Sequence, residues 1–257
     1  MRTYQILFGI IFFLIGCETD SDLNGVAETL TLISEHKLSI EDPSGLTLDV
    51  SGNFLWTVSD QSGGLVYKIT FDGNILGALG YRGDDMEGIT MNPNDETLWI
   101  VEERLREIVQ LDSQGRVLQR VEVPVQIVNV NDGLEGVAID PITEHFYIIN
   151  EKSPTEFIEL NDKFEVVRRV TINSRSNFGG NFSLNDLSGI FYANETREFW
   201  IVSDESMRIV VTNFELNPLR SYDLGKRKFE GIAVDTEVRR VYLVNDEENK
   251  LYVYSYL

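Results

Sequence analysis

Apolar and polar residues alternate along most of the chain in short runs, and clusters of Gly, Asn, Asp and Ser separate the runs. This is the pattern of half-buried β-strands joined by tight turns. Its plainest unit reads Glu230-Gly231-Ile232-Ala233-Val234-Asp235, a turn, then Val241-Tyr242-Leu243-Val244-Asn245-Asp246. The unit occurs five times. Its glycine falls at Gly45, Gly88, Gly136, Gly189 and Gly231, and an aromatic follows eleven residues later at Trp56, Trp99, Tyr147, Trp200 and Tyr242. Four residues past each aromatic stands an acid, at Asp60, Glu103, Glu151, Asp204 and Asp246. The glycines recur every 42 to 53 residues, a spacing that marks a repeat architecture.

Each copy predicts four strands. The first gives 45–49, 54–59, 65–70 and 75–79; the second 88–91, 97–102, 107–111 and 117–123. The third gives 136–139, 146–149, 157–160 and 166–172, and the fourth 189–192, 199–202, 209–212 and 219–224. The fifth supplies only 231–234, 241–244 and 251–254, one strand short. A segment near 30–38 has strand chemistry but lacks the glycine and aromatic marks, so it is expected to complete the fifth unit. The prediction is an all-β, five-bladed β-propeller of four-stranded blades, its ring closed by that N-terminal strand so that no long edge is left unpaired. The weaker alternative is an open β-solenoid.

The aromatic column then belongs between blades as core. The glycines belong where the first strands crowd the axis and backbones approach closely.

At 257 residues the chain is long enough for one such domain, expected over residues 29–257. Ahead of it, Arg2, the apolar run 6–15 and Leu14-Ile15-Gly16-Cys17 look like a bacterial lipoprotein signal peptide over residues 1–16. Cleavage there would leave Cys17 as the lipidated residue, followed by an acidic tether through residue 28. Several acyl chains on one residue hold a protein to a membrane stably. A plain signal peptide with an incidental Cys17 is the alternative. Because Cys17 is the only cysteine, no disulfide forms within the chain. The expected location is the bacterial cell envelope, anchored to a membrane, the outer one favoured, with the domain facing periplasm or cell surface.

The formal charge of −20 repels phosphate backbones, so no nucleic-acid partner is expected. Cations are favoured. The start of each first strand lies beside the end of the second in an antiparallel hairpin, so two acidic columns meet on one face of the ring. One is Asp60, Glu103, Glu151, Asp204 and Asp246; the other is Glu87, Glu135 and Glu230, with Ser44 and Ser188 in the remaining copies. Asp42, Asp85, Asp132 and Asp186, with Asn131, Asn150 and Asn245, are expected to add to it. Hard oxygen ligands without His or Cys suit Ca²⁺ first and Mg²⁺ second. The same acids would also serve as turn caps accepting backbone amides, and both readings stand at this point.

Asp186-Leu187-Ser188-Gly189, Val202-Ser203-Asp204-Glu205-Ser206, Gly133-Leu134-Glu135-Gly136, Asn150-Glu151-Lys152-Ser153-Pro154 and Phe229-Glu230-Gly231-Ile232-Ala233 together resemble the SdiA-regulated family. That family takes in YjiK-like and CarP-like calcium-regulated β-propeller proteins of the envelope. The resemblance runs over about residues 38 to 255. It implies a periplasmic or membrane-associated propeller with a link to calcium and no established catalytic activity. The lipobox and the polar insertion 173–185, with a flexible Asn177–Asn181 stretch, depart from the family's pattern.

With only His36 and His145 available, Ser-His-Asp or Cys-His catalysis is not expected, and no catalytic residue is assigned. The expected function is an envelope binding or signalling module whose acidic face takes Ca²⁺, an envelope protein or a cationic ligand. The alternatives are a Ca²⁺-dependent phytase- or lactonase-like hydrolase on the same face, with Arg82, Arg104 or Lys152 orienting an anion, and a metal-free interaction scaffold.

Overall fold

A computed structural model describes residues 27–125, 132–173 and 178–257. Cys17, the leader and Asn131 lie outside them. Two strands precede the repeats, β1 (Ala27–Glu28) and β2 (Thr31–Lys37). Blade 1 is β3 (Pro43–Leu48), β4 (Leu55–Ser59), β5 (Gly64–Ile69) and β6 (Ile75–Gly83). Blade 2 is β7 (Met86–Met91), β8 (Leu98–Glu102), β9 (Glu107–Leu111) and β10 (Val117–Glu122). Blade 3 is β11 (Leu134–Ile139), β12 (Phe146–Asn150), β13 (Glu156–Leu160) and β14 (Val166–Thr171). Blade 4 is β15 (Gly189–Ala193), β16 (Glu198–Ser203), β17 (Arg208–Thr212) and β18 (Pro218–Asp223), and blade 5 begins β19 (Phe229–Asp235), β20 (Arg240–Asn245), β21 (Lys250–Ser255).

The missing fourth strand of blade 5 is β2, which pairs antiparallel with β21 from Thr31↔Ser255 to Lys37↔Lys250. First and last segments of the chain thus close the ring in one sheet. Residues 27–28, expected to end the tether, instead add a short parallel strand to the outer edge of blade 4. The Tyr222 hydroxyl fastens it by donating to Glu28 Oε2 at 2.9 Å.

The core is five wedges, each filled from two neighbouring blades. Trp99 meets Phe146 of the next blade with ring centroids 4.6 Å apart, Tyr147 meets Phe199 at 4.7 Å, and Tyr242 stacks on Phe71 at 4.8 Å. The aromatic column is therefore the seam between blades, filled out by aliphatics such as Val101, Ile148, Ile201 and Leu243. The expected flexible insertion is a correction: Phe178, Phe182 and Leu184 are buried in the wedge between blades 3 and 4, and residues 180–182 form a 3₁₀ turn. Among the described residues no helix is long and apolar enough to cross a membrane.

At the axis the glycine column is a steric requirement. A Cβ on Gly88 would stand 2.7 Å from the Gly136 Cα, and one on Gly45 would stand 2.3 Å from the Glu87 carbonyl oxygen. The collar leaves a residual space of about 10 Å³ on the axis, about the room that one water molecule needs. Gly88→Ala is expected to cost about 1–3 kcal/mol through overpacking, read as a lower denaturant midpoint. Gly77→Ala, where a Cβ meets nothing within 4 Å, is the control and should stay within about 0.5 kcal/mol of wild type. Equal effects would refute the collar's role.

Candidate functional site: an acidic mouth on the propeller axis

Four of the five repeats place their acid by the same backbone device. The amide of the residue after the second strand donates to the carbonyl three positions before the glycine: Asp60 to Asp42 at 3.0 Å, Glu103 to Asp85 at 3.1 Å, Glu151 to Gly133 at 2.8 Å and Asp246 to Lys228 at 3.1 Å. The residue directly before the glycine lies alongside. Both acidic columns consequently reach one end of the axis.

There they line a cavity of about 330 Å³ walled by Ser44, Asp60, Asp85, Glu87, Glu103, Arg104, Glu135, Glu151, Asp186, Asp204, Lys228, Glu230 and Asp246. All eight candidate ligands are brought together. Ten carboxylates face two cationic side chains, a balance that a low-dielectric pocket does not tolerate in fully ionised form. The opposite end opens as a wider funnel of about 570 Å³ that holds none of the candidates.

The carboxylates differ in what they touch. Glu103 Oε1 accepts the Gly133 amide at 2.8 Å, and Asp204 and Asp246 accept the amides of Lys228 and Glu247. Those three tie turns. Among the described residues, Glu87, which is buried, accepts only the Ser44 hydroxyl, at 2.7 Å, and Glu230 has only Lys228 Nζ, at 3.7 Å. Among the described residues no hydrogen bond or ion pair reaches the Glu135 carboxylate. Oxygens of Asp60, Asp85 and Glu87 lie within 4.8 Å of one another, with Arg104 Nε 2.9 Å from Asp85 Oδ2.

Burial, reinforced by the neighbouring acids, raises these groups. Glu87 and Glu135 are pushed well above the usual carboxylate range, first by desolvation and then by each other's neighbours, Asp60 on Glu87 and Glu87 on Glu135. Desolvation and Asp85 lift Asp60 to about 6; desolvation takes Glu103 to about 8 against the Gly133 amide, and Glu230 to about 8 with Asp246 adding to it. Lys152 bonds Glu151 Oε1 at 2.5 Å and pairs with Glu205 at 3.2 Å, which limits the rise at Glu151.

Several expectations change with the geometry. Asn150 and Asn245 are structural: Asn150 Nδ2 donates to the carbonyls of Asp132, Lys152 and Pro154, and Asn245 Nδ2 to that of Arg227. Arg82 points away, donating to the Gly63 carbonyl, whereas Arg104 does line the cavity. Lys228 is the residue that repeat reading missed. It occupies the column of Asp42 and Asp85, and its Nζ lies 3.5 Å from Asp246 and 4.0 Å from Asp204.

A closed ring of five antiparallel blades with an acidic cavity at one end of its axis defines a five-bladed β-propeller with a cation-attracting mouth. The chain belongs to the SdiA-regulated family, whose model matches residues 29–255. Glutaminyl cyclase of Myxococcus xanthus has a similar structure, with a TM-score of 0.67 at 12% identity over 91% of this chain and 99% of that one. A streptogramin B lyase is similar at TM-score 0.50 and 17% identity, over 87% of this chain and 69% of that one. The β-propeller domain of Cps50 (Swd1) of Myceliophteria thermophila is similar at 0.51 and 10%, over 82% and 64%. At these identities the likeness concerns the fold alone.

The raised carboxylates make stability fall with pH. Glu103 and Glu230 titrate near 8 when folded against an ordinary value near 4.5, so between those pH values the folded state holds more protons than the unfolded one. Their contribution is greatest below about pH 4.5 and is lost as pH rises through about 8. In chelator, the thermal midpoint should drop between pH 5 and pH 8.5, with a shallower drop in Glu230→Gln. A midpoint that rises over this range would contradict the assignment.

Proposed function

We propose that the chain is a lipid-anchored propeller of the bacterial envelope that binds Ca²⁺ in its acidic mouth and acts there as a calcium-linked binding or signalling module. The observation that carries this reading is the cavity itself, with ten carboxylates opposed by two cations and the Glu135 carboxylate without a partner among the described residues. A divalent ion relieves the desolvation and repulsion that otherwise hold several of these groups protonated.

The donor set fits Ca²⁺. It is all oxygen, it includes long Glu side chains that adapt to six to eight ligands, and the Asp60, Asp85 and Glu87 oxygens lie within a span one ion can bridge. Mg²⁺ demands a tighter octahedron and sheds water reluctantly. Asp60, Asp85 and Glu87 would hold the ion, with Glu135 beside them on the axis and Glu103 and Glu151 on the same cavity wall, while Asp204, Glu230 and Asp246 already face the Lys228 ammonium group. The bound ion would supply charge neutralisation and an exposed coordination position for an anionic partner group.

One feature favours the hydrolase as second reading: the half-exposed Arg104 guanidinium stands at the cavity wall beside Asp85, where it would orient an anionic substrate over a metal.

Calorimetric titration of the soluble chain beginning at Leu23, after exhaustive chelation, should show saturable Ca²⁺ binding. Glu135→Gln should weaken it by at least ~10-fold, about 1.4 kcal/mol. No heat at millimolar Ca²⁺ would remove both metal readings and leave a scaffold.

The anchor has its own test. Metabolic labelling with an alkyne fatty acid should mark the full chain in the membrane fraction and fail to mark Cys17→Ser, which should move to the soluble fraction. Equal membrane recovery of an unlabelled Cys17→Ser would refute lipidation.

A further inference from the structure

The mouth repeats one three-residue constellation at every gap between blades. It consists of the acid after the second strand of one blade and, from the next blade, the residues three and one before the glycine. Between blades 1 and 2 these are Asp60, Asp85 and Glu87, three carboxylates whose oxygens lie within 4.8 Å of one another. Between blades 4 and 5 they are Asp204, Lys228 and Glu230.

The equivalence is geometric as well as sequential. Asp85 and Lys228 share a left-handed backbone, with φ of +66° and +70°, and their carbonyls accept the corresponding amides of Glu103 and Asp246. Aspartate is at home in that conformation because its short side chain bonds locally. Longer side chains adopt it elsewhere in this chain, at Arg106, Arg197 and Arg239 among others, so the turn accepts lysine without calling for it. Its side chain explains it: Nζ stands 4.0 Å from Asp204, 3.7 Å from Glu230 and 3.5 Å from Asp246, inside the oxygen set.

The other gaps are differently filled. Between blades 2 and 3 the middle position is Gly133, whose amide donates to Glu103, and Ser188 and Ser44 replace the axial glutamate in the remaining two. Only one gap presents three carboxylates, and only one holds an ammonium group in the matching place.

We propose that Lys228 is the chain's own occupant of a cation position between blades 4 and 5, equivalent to the metal position of Asp60, Asp85 and Glu87, and that it restricts the mouth to one divalent ion. The claim rests on the calcium reading for the first position but not for the second, because the ammonium group is itself the cation seen there. Lys228 is a specificity-determining residue, setting how many ions the mouth takes and on which side.

Ca²⁺ stoichiometry, measured by calorimetry and by equilibrium dialysis with ⁴⁵Ca, tests this with six proteins in the same buffer. Wild type should bind one ion per chain, Lys228→Arg one, and Lys228→Met and Lys228→Asp two. Asp60→Asn should lose the ion, and the Asp60→Asn, Lys228→Asp double variant should regain one. Far-UV circular dichroism establishes that each variant is folded, and Lys228→Met carries the test should Lys228→Asp fail to fold. One ion in wild type and still one in both Lys228→Met and Lys228→Asp would overturn the proposal and leave the calcium reading standing. No binding by wild type with one ion gained by Lys228→Asp would sink the calcium reading and uphold Lys228 as occupant. No binding by any of them would overturn both.

Discussion

The close approach of five backbones around one axis governs everything else in this molecule. At Gly45, Gly88, Gly189 and Gly231 the first strands meet so closely that a Cβ would stand within 2.7 Å of the next blade's backbone, and at Gly136 it would press on the Ile149 and Ile190 side chains, so the residue before each glycine lies at the axis. Three of those residues are glutamates. The acids that end the second strands follow because an antiparallel hairpin has no other place for them. Crowding at the collar thus concentrates charge at one end, and five apolar wedges between blades provide the stabilisation that allows it. Those wedges, with rings such as Trp99, Tyr147 and Trp200 almost wholly buried, lie away from the mouth.

The same collar makes the mouth a blind cavity. With only about 10 Å³ of space on the axis beneath it, there is room for a single water at most below the buried glutamates, and such carboxyl groups are protonated, paired or bridged by a cation. Among the described residues the chain pairs them mainly on one side. Lys152 takes Glu151 and Glu205, Arg227 takes Asp204, and Lys228 takes Asp204, Glu230 and Asp246. Opposite them, Asp60, Asp85, Glu87 and Glu135 have Arg104 alone, and that guanidinium is half exposed. The mouth is therefore polarised across the ring, with its uncompensated charge toward blades 1, 2 and 3.

Periodicity made the fold legible in detail. An 11 + 4 spacing repeated five times located the strands to within a few residues, and the arithmetic of one missing strand identified β2 as the closing element before any contact was known. What escaped has a common cause: repetition reports what the blades share. Phe178 and Phe182 sit in an insertion that only one blade has, so a polar surrounding sequence hid two core residues. Ala27 and Glu28 carry no strand pattern because a two-residue pairing is too short to have one. Asn150 and Asn245 stand beside the acids in sequence, yet their amides turn back to fasten loops, a direction that spacing cannot convey. Lys228 was overlooked because it breaks the column in which it stands, and the break is what carries its chemistry.

Fold likeness does not decide between a binding module and a hydrolase, since the similar structures include a glutaminyl cyclase, a streptogramin B lyase and the β-propeller domain of Cps50 (Swd1). Electrostatics is more discriminating. An anionic substrate approaching a chain of charge −20 meets repulsion that grows toward the cavity, so any such substrate requires the mouth to be recharged by a divalent ion first. A cationic ligand needs no such step. Metal binding is thus the prior event for one class of activity and a competitor for the other. A cationic partner would be displaced by Ca²⁺, and an anionic one would be recruited by it. The sign of the calcium dependence of partner binding, more than its magnitude, separates the two kinds of function that this mouth is able to serve.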